Sequence, residues 1–100
     1  MTTAKKADGF RDISAKAREE YAVTVLDANT ILAEASKAAA NGEQAHAVVF
    51  DRPVDLPQTE AGKALKTLLQ EHGFTVEWNK RTIVVGGMEK AAWTLILRWS

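Results

Sequence analysis

The sequence predicts an α+β fold in two layers: a long N-terminal helix, then β-α-β-β-β with an antiparallel C-terminal meander packed on a helix. Three observations predict it. Apolar residues recur at spacings of three and four from Phe10 to Ala39, the period of a helix. A second helical stripe, Ala61, Leu65, Leu68 and Leu69, runs into Gly73, a residue that accepts the left-handed conformation closing a helix. From Phe74 onward the period becomes two, as in a half-buried strand.

The first stripe is Phe10, Ile13, Ala17, Tyr21, Val25, Ala28, Leu32, Ala35 and Ala39. It predicts helix from near Asp8 to Asn41, with Asp8 or Thr3 as N-cap and Asn41-Gly42 as the stop. Within it, Tyr21-Ala-Val-Thr-Val-Leu26 has three β-branched residues, which are poor helix formers, and Asp27-Ala-Asn-Thr30 offers a fresh cap. One continuous helix is the favoured reading. Two helices meeting near residue 27, or a short strand over 21–26, are the alternatives.

Ala45-His-Ala-Val-Val-Phe50 is short, β-branched at its centre and ended by Asp51-Arg52-Pro53, which reads as a strand. A helix then starts at Pro57 or Thr59, since proline in the first turn gives up an N–H that would be unpaired anyway. In the C-terminal quarter, a two-residue loop at Asn79-Lys80 would set Trp78 opposite Arg81, Val76 opposite Ile83 and Phe74 opposite Val85. A further connecting loop, Gly86-Gly87-Met-Glu-Lys-Ala-Ala92, would set Val85 opposite Trp93, Ile83 opposite Leu95 and Arg81 opposite Leu97. The expected core face is then Phe74, Val76, Trp78, Ile83, Val85, Trp93, Leu95, Leu97 and Trp99. Thr75, Glu77, Thr82, Val84, Thr94, Ile96 and Arg98 fall opposite, on a solvated face or an assembly surface. A right-handed parallel crossover from the strand at 45–50 through the second helix is one arrangement; the place of that strand in the sheet stays open.

One hundred residues make one domain, with 1–41 as its N-terminal helix and 45–100 as its β-α-β-β-β core. Thirteen basic and thirteen acidic side chains are spread evenly. That balance removes the main sequence-independent drive toward nucleic acid and reads as a mixed solvated surface. Without cysteine there is no disulfide or thiolate chemistry. No apolar run approaches a membrane span, and MTTAKKADGF lacks the apolar segment of a secretory signal.

Chemistry-bearing residues are sparse. His46 and His72 have no histidine or cysteine at ligand spacing, so no metal is expected; His72 suits the last turn of its helix, where positive charge is favoured. Ser14, Ser36 and Ser100 lie outside any G-x-S-x-G elbow. Glu19-Glu20 and Asp51/Asp55 read as solvent-facing pairs. Gly86-Gly87 lacks the spacing of a phosphate-binding loop and reads as a turn. The expectation is no enzyme and no cofactor.

What remains is a surface for protein partners. Trp78 and Trp93 belong to the expected core. Trp99 is either tucked under a helix or offered to a partner, tryptophan being enriched at interfaces. A helix of about 30 residues would be near 45–50 Å long, more than a small sheet covers. Phe10 and Ile13 would then stand clear of the domain. If the last strand is an edge, Leu95, Leu97 and Trp99 invite pairing along it. The candidate interface residues are Phe10, Ile13, Ala17, Tyr21, Leu97 and Trp99.

The helix-to-strand passage Leu65-Lys-Thr-Leu-Leu-Gln-Glu-His-Gly-Phe-Thr-Val-Glu-Trp78 and the closing strand Leu95-Ile-Leu-Arg-Trp-Ser100 resemble those of small, mostly uncharacterised proteins of tailed bacteriophages. Such proteins share an L-x-x-x-G-[FY]-x-V passage, here Leu69 to Val76, and a terminal strand ending in Ser-Trp or a similar pair, here reversed as Trp99-Ser100. The resemblance implies a virion or assembly accessory protein, found in the virion or the host cytoplasm. Its partners would be copies of itself or other virion proteins, and it carries over no catalytic residues. The alternative is a small regulatory module that binds a host protein.

Overall fold

The computed structural model describes residues 4–99; Thr3, proposed as an N-cap, and Ser100 lie outside them. Helices α1 (Ala4–Val25), α2 (Ala28–Ala40) and α3 (Glu60–Glu71) and strands β1 (Ala45–Val49), β2 (Thr75–Val85) and β3 (Met88–Arg98) make an α+β fold. A single 3₁₀ turn, Leu56–Gln58, precedes α3. The helices cover one face of an antiparallel sheet of order β1-β3-β2.

The N-terminal region is two helices. Val23, Thr24 and Val25 weaken the helix by their β-branching, and the Thr24 hydroxyl donates back to the Glu20 carbonyl at 2.9 Å, a bond that bends helices. Asp27 is extended and stands at the N-cap position of α2, where its carboxylate accepts the Thr30 hydroxyl at 2.6 Å rather than a backbone N–H. Asp8 is not the N-cap, because α1 already runs from Ala4; it pairs on the surface with Arg11.

Both α2 and α3 end in the same motif. Beyond α3, Phe74 N–H bonds the Leu69 carbonyl and Gly73 N–H the Gln70 carbonyl, with Gly73 at φ +90°. Beyond α2, Glu43 and Gly42 repeat these bonds on Ala38 and Ala39. In each, glycine alone takes the positive φ without strain. The start of α3 is set by Thr59, whose hydroxyl accepts from Gly62 N–H at 2.9 Å and donates to the Leu56 carbonyl at 2.7 Å.

The C-terminal quarter corrects the sequence reading. There is no turn at Asn79-Lys80: β2 runs straight from Thr75 to Val85, and the chain reverses at Gly86-Gly87, with φ of 59° and 78°. A two-residue hairpin turn with positive φ at both positions suits Gly-Gly and would strain Lys80. Met88–Ala92, expected in a loop, is strand, and the expected four strands are three. The register sets Trp78 opposite Leu95, Arg81 opposite Ala92 and Val85 opposite Met88.

A continuous strand reverses the faces beyond residue 80. Val76 and Trp78 point to the helices as expected, but Ile83 and Val85 lie on the face of Thr75 and Glu77, while Thr82 and Val84 lie on the face of Val76. Thr94, Ile96 and Arg98 keep their expected side.

β1 pairs antiparallel with β3, Ala45 opposite Arg98. β1 and β2 are therefore parallel, with β3 between them, and the β1-α3-β2 crossover spans a central strand. The last strand is not an edge. One core, built on Ile31, Leu56, Leu65, Leu69, Leu95 and Leu97, lies between the helices and the face of Val76.

β1 reaches only to Thr94 of β3. Beyond that point β2 and β3 continue as a two-stranded ribbon with Val84, Val85 and Met88 exposed. The ribbon and α1 stretch the molecule to 61 × 31 × 17 Å, with a radius of gyration of 16.2 Å against about 13 Å for a compact chain of this length.

Candidate protein-interaction surface

α1 touches the domain along one side near its C-terminal end. Ala22 and Leu26 are buried, and the Glu19 carboxylate accepts the backbone N–H of Glu60 at 2.7 Å, occupying one of the four unpaired N–H groups that open α3. At 3.6 residues per turn, Phe10, Ile13 and Ala17 fall on the side of α1 roughly opposite Ala15, Ala22 and Leu26. Phe10 is 68% exposed and Ile13 66%; every residue from Asp8 to Arg18, Ala15 included, is exposed, so this half of α1 stands clear of the body, and only Ala22 and Leu26 beyond it fix which side faces inward. The stripe that predicts the helix in its first two-thirds is thus its outward face.

Tyr21 marks the point where this face meets the body. It is half-buried, and the Arg52 guanidinium carbon sits 4.5 Å from its ring centroid, an attraction of a cation to the ring face. The phenol is raised above its ordinary pKa, chiefly by desolvation; Arg52 pulls it down and Asp51 pushes it up. Ser14, Ala17, Arg18 and Pro53 adjoin Tyr21 in a shallow depression.

The other two expected interface residues separate. Leu97 is fully buried: it lies on the helix-facing side of the central strand, so it is core, and its place in the expected interface is corrected. Trp99 is half-buried and packs edge-on against Phe74, centroids 6.2 Å apart at 89°. With Leu32, Ala35, Ser36 and Ala39 these two rings line an open apolar groove of roughly 280 Å³. Trp99 is thus both tucked against α2 and open to solvent. Its groove shares no residue with the depression beside Phe10, so the stripe and Trp99 form two separate surfaces.

Two features were missed by sequence reasoning. One is the projecting ribbon, whose signal was Gly86-Gly87. The other is the free edge of β2, which follows from a strand order that no local pattern encodes. Near the ribbon's base, Arg81 crosses the sheet: its Nη2 donates to the Phe50 carbonyl at 3.0 Å and to the Asp51 carboxylate at 3.1 Å. Its stem covers Ala92, which is fully buried on the otherwise open face.

The histidines are apart. His46 Nε2 is 3.3 Å from the Glu34 carboxylate, tying β1 to α2, and His72 is the C-cap of α3. Among the described residues no three His, Cys, Asp or Glu side chains converge as a metal site, and no helix is long and apolar enough to cross a membrane. No protein-family model, curated protein or solved structure matches the chain.

Proposed function

We propose that this chain is a non-enzymatic structural protein that assembles through protein-protein contacts, as a component of a phage virion. The observation that carries the reading is the outward stripe of α1. Phe10 and Ile13 stand two-thirds exposed on a helix whose opposite side holds it to the body. Exposed apolar side chains grouped on one face mark an interaction site, and each such side chain buried contributes roughly 1.5–3 kcal/mol. The first partner is a second copy of the chain; other virion proteins are the next. The phage origin rests on the resemblance of the Leu69–Val76 passage and the closing strand, and with it a place in the virion or the host cytoplasm.

A regulatory module that binds a host protein is the second reading. The groove beside Phe74 and Trp99 favours it, since a pocket of roughly 280 Å³ takes one large apolar side chain of a partner. Two experiments separate the readings. Deleting residues 1–14 leaves a folded body that no longer associates through α1 if the first reading holds. Substituting Trp99→Ala abolishes capture of a host protein, with assembly intact, if the second does.

A further inference from the structure

β2 is an edge of the sheet along all eleven of its residues. Which of its backbone groups face outward follows from β3. Phe50 N–H bonds the Trp93 carbonyl, so the odd-numbered residues of β3 bond β1 and the even-numbered ones bond β2. Their partners in β2 are the odd-numbered residues. Val76, Trp78, Lys80, Thr82 and Val84 therefore turn their N–H and C=O groups away from the sheet. Long edges of this kind are templates for another strand unless proline, a bulge or a cover blunts them. β2 contains no proline, and its pairing with β3 has no bulge.

We propose that β2 pairs antiparallel with β2 of a second copy, about a two-fold axis at Asn79, joining two sheets into one of six strands. This rests on the reading that the chain assembles with itself, and names a second surface for it. Charge chooses the register. Centred on Asn79, Glu77 faces Arg81 of the other copy and Trp78 faces Lys80, a cation against an aromatic ring. Val76 faces Thr82, and Thr75 faces Ile83. Centring on Glu77, Lys80 or Arg81 would set like charges face to face, and centring on Trp78 would leave every charge opposite a neutral residue. To meet Glu77 of the other copy, Arg81 swings back from across β3, where its Nη2 donates to Phe50 and Asp51 and about a third of its side chain is exposed. Among the described residues Glu77 pairs only with Arg98, at 3.8 Å, with both side chains about half exposed. The Trp78–Lys80 and Val76–Thr82 pairs exchange the outward backbone bonds, which makes Asn79–Asn79 a close, non-hydrogen-bonded pair.

The full chain contains no cysteine, so Asn79→Cys reads the register directly. Non-hydrogen-bonded partners lie about 4.5 Å apart at Cα, within the range a disulfide spans. The expected result is a disulfide-linked dimer forming roughly tenfold faster or more than for Asn29→Cys, an exposed helical control, as effective concentration requires. Adding Lys80→Pro, which removes an outward N–H and is tolerated on a free edge, should return the rate to that of the control. A reduced Asn79→Cys protein that is oligomeric by light scattering but cross-links no faster than the control overturns the β2 pairing and leaves self-assembly standing. A protein monomeric at every concentration overturns both.

Discussion

The Glu19 carboxylate caps α3 from another helix, accepting the Glu60 N–H at 2.7 Å across forty-one positions of sequence. Within α3, Thr59 satisfies Gly62 N–H, so two of the opening N–H groups are held by different elements. The negative charge also lies at the positive end of the helix dipole. Glu19→Ala is expected to cost about 0.5–2 kcal/mol, and Glu19→Gln less, since an amide oxygen still accepts the bond. Urea denaturation of the two variants checks the order.

Two glycines in helices have opposite meanings. A Cβ on Gly62 would lie 2.0 Å from the Leu56 carbonyl oxygen, whereas one on Gly9 meets nothing within 4 Å. Gly62→Ala is expected to lower stability by at least the roughly 1–3 kcal/mol of an overpacked site. Gly9→Ala is expected to raise it by up to about 1 kcal/mol through helix propensity. Thermal unfolding reads both, at about 4–8 °C per kcal/mol for a chain of this size.

The hairpin makes a contrast within one strand. Gly87→Val places a β-branched residue at a φ of 78°, and it is expected to disrupt the ribbon and lower the unfolding temperature. Lys80→Gly, at a position in mid-strand, is expected to destabilise modestly; a turn there would instead gain from glycine. Circular dichroism melts of the pair decide between the two registers.

How much of this was legible follows from where burial acts. The caps at Thr59, Gly42 and Gly73, the strand at Ala45–Val49 and the alternation from Phe74 to Trp78 are local signals, and the structure carries each of them. The pattern lost its phase at Asn79-Lys80 for a physical reason. Trp78 is the last residue of β2 to rest on the core. Beyond it Val84, Val85 and Met88 stand exposed, so neither face is held to apolar residues, and Ile83, Val84 and Val85 follow one another without alternation. That loss of phase resembled a turn. Sheet order was not legible at all, since β3 slots between β1 and β2 through contacts distant in sequence; this is why Leu97 reads as edge and proves to be core. On α1, Phe10, Ile13 and Ala17 were legible as a stripe, but the side that meets the body, marked by Ala22 and Leu26, was not, since it depends on contacts distant in sequence.

Alkaline pH provides an independent check on Tyr21. Its folded pKa is raised from the ordinary 10.0, chiefly by desolvation, so the native state holds the phenolic proton more tightly than the unfolded chain. The resulting stabilisation is present in full below pH 10 and is lost as pH rises through the folded value. Native stability is expected to fall more steeply above pH 10 than in Tyr21→Phe, measured by denaturation at a series of pH values.

The central claim is that the outward face of α1 is an interface, and molar mass in solution tests it most directly. Light scattering across a concentration series is expected to give the full chain a mass above its 10.9 kDa monomer. The Phe10→Ser/Ile13→Ser variant is expected to lose the α1 contact and go no further than the dimer joined through β2 at concentrations where the full chain assembles beyond it, with an unchanged circular dichroism spectrum. A full chain that stays at 10.9 kDa throughout, or a variant that assembles as well as the parent, would contradict the account.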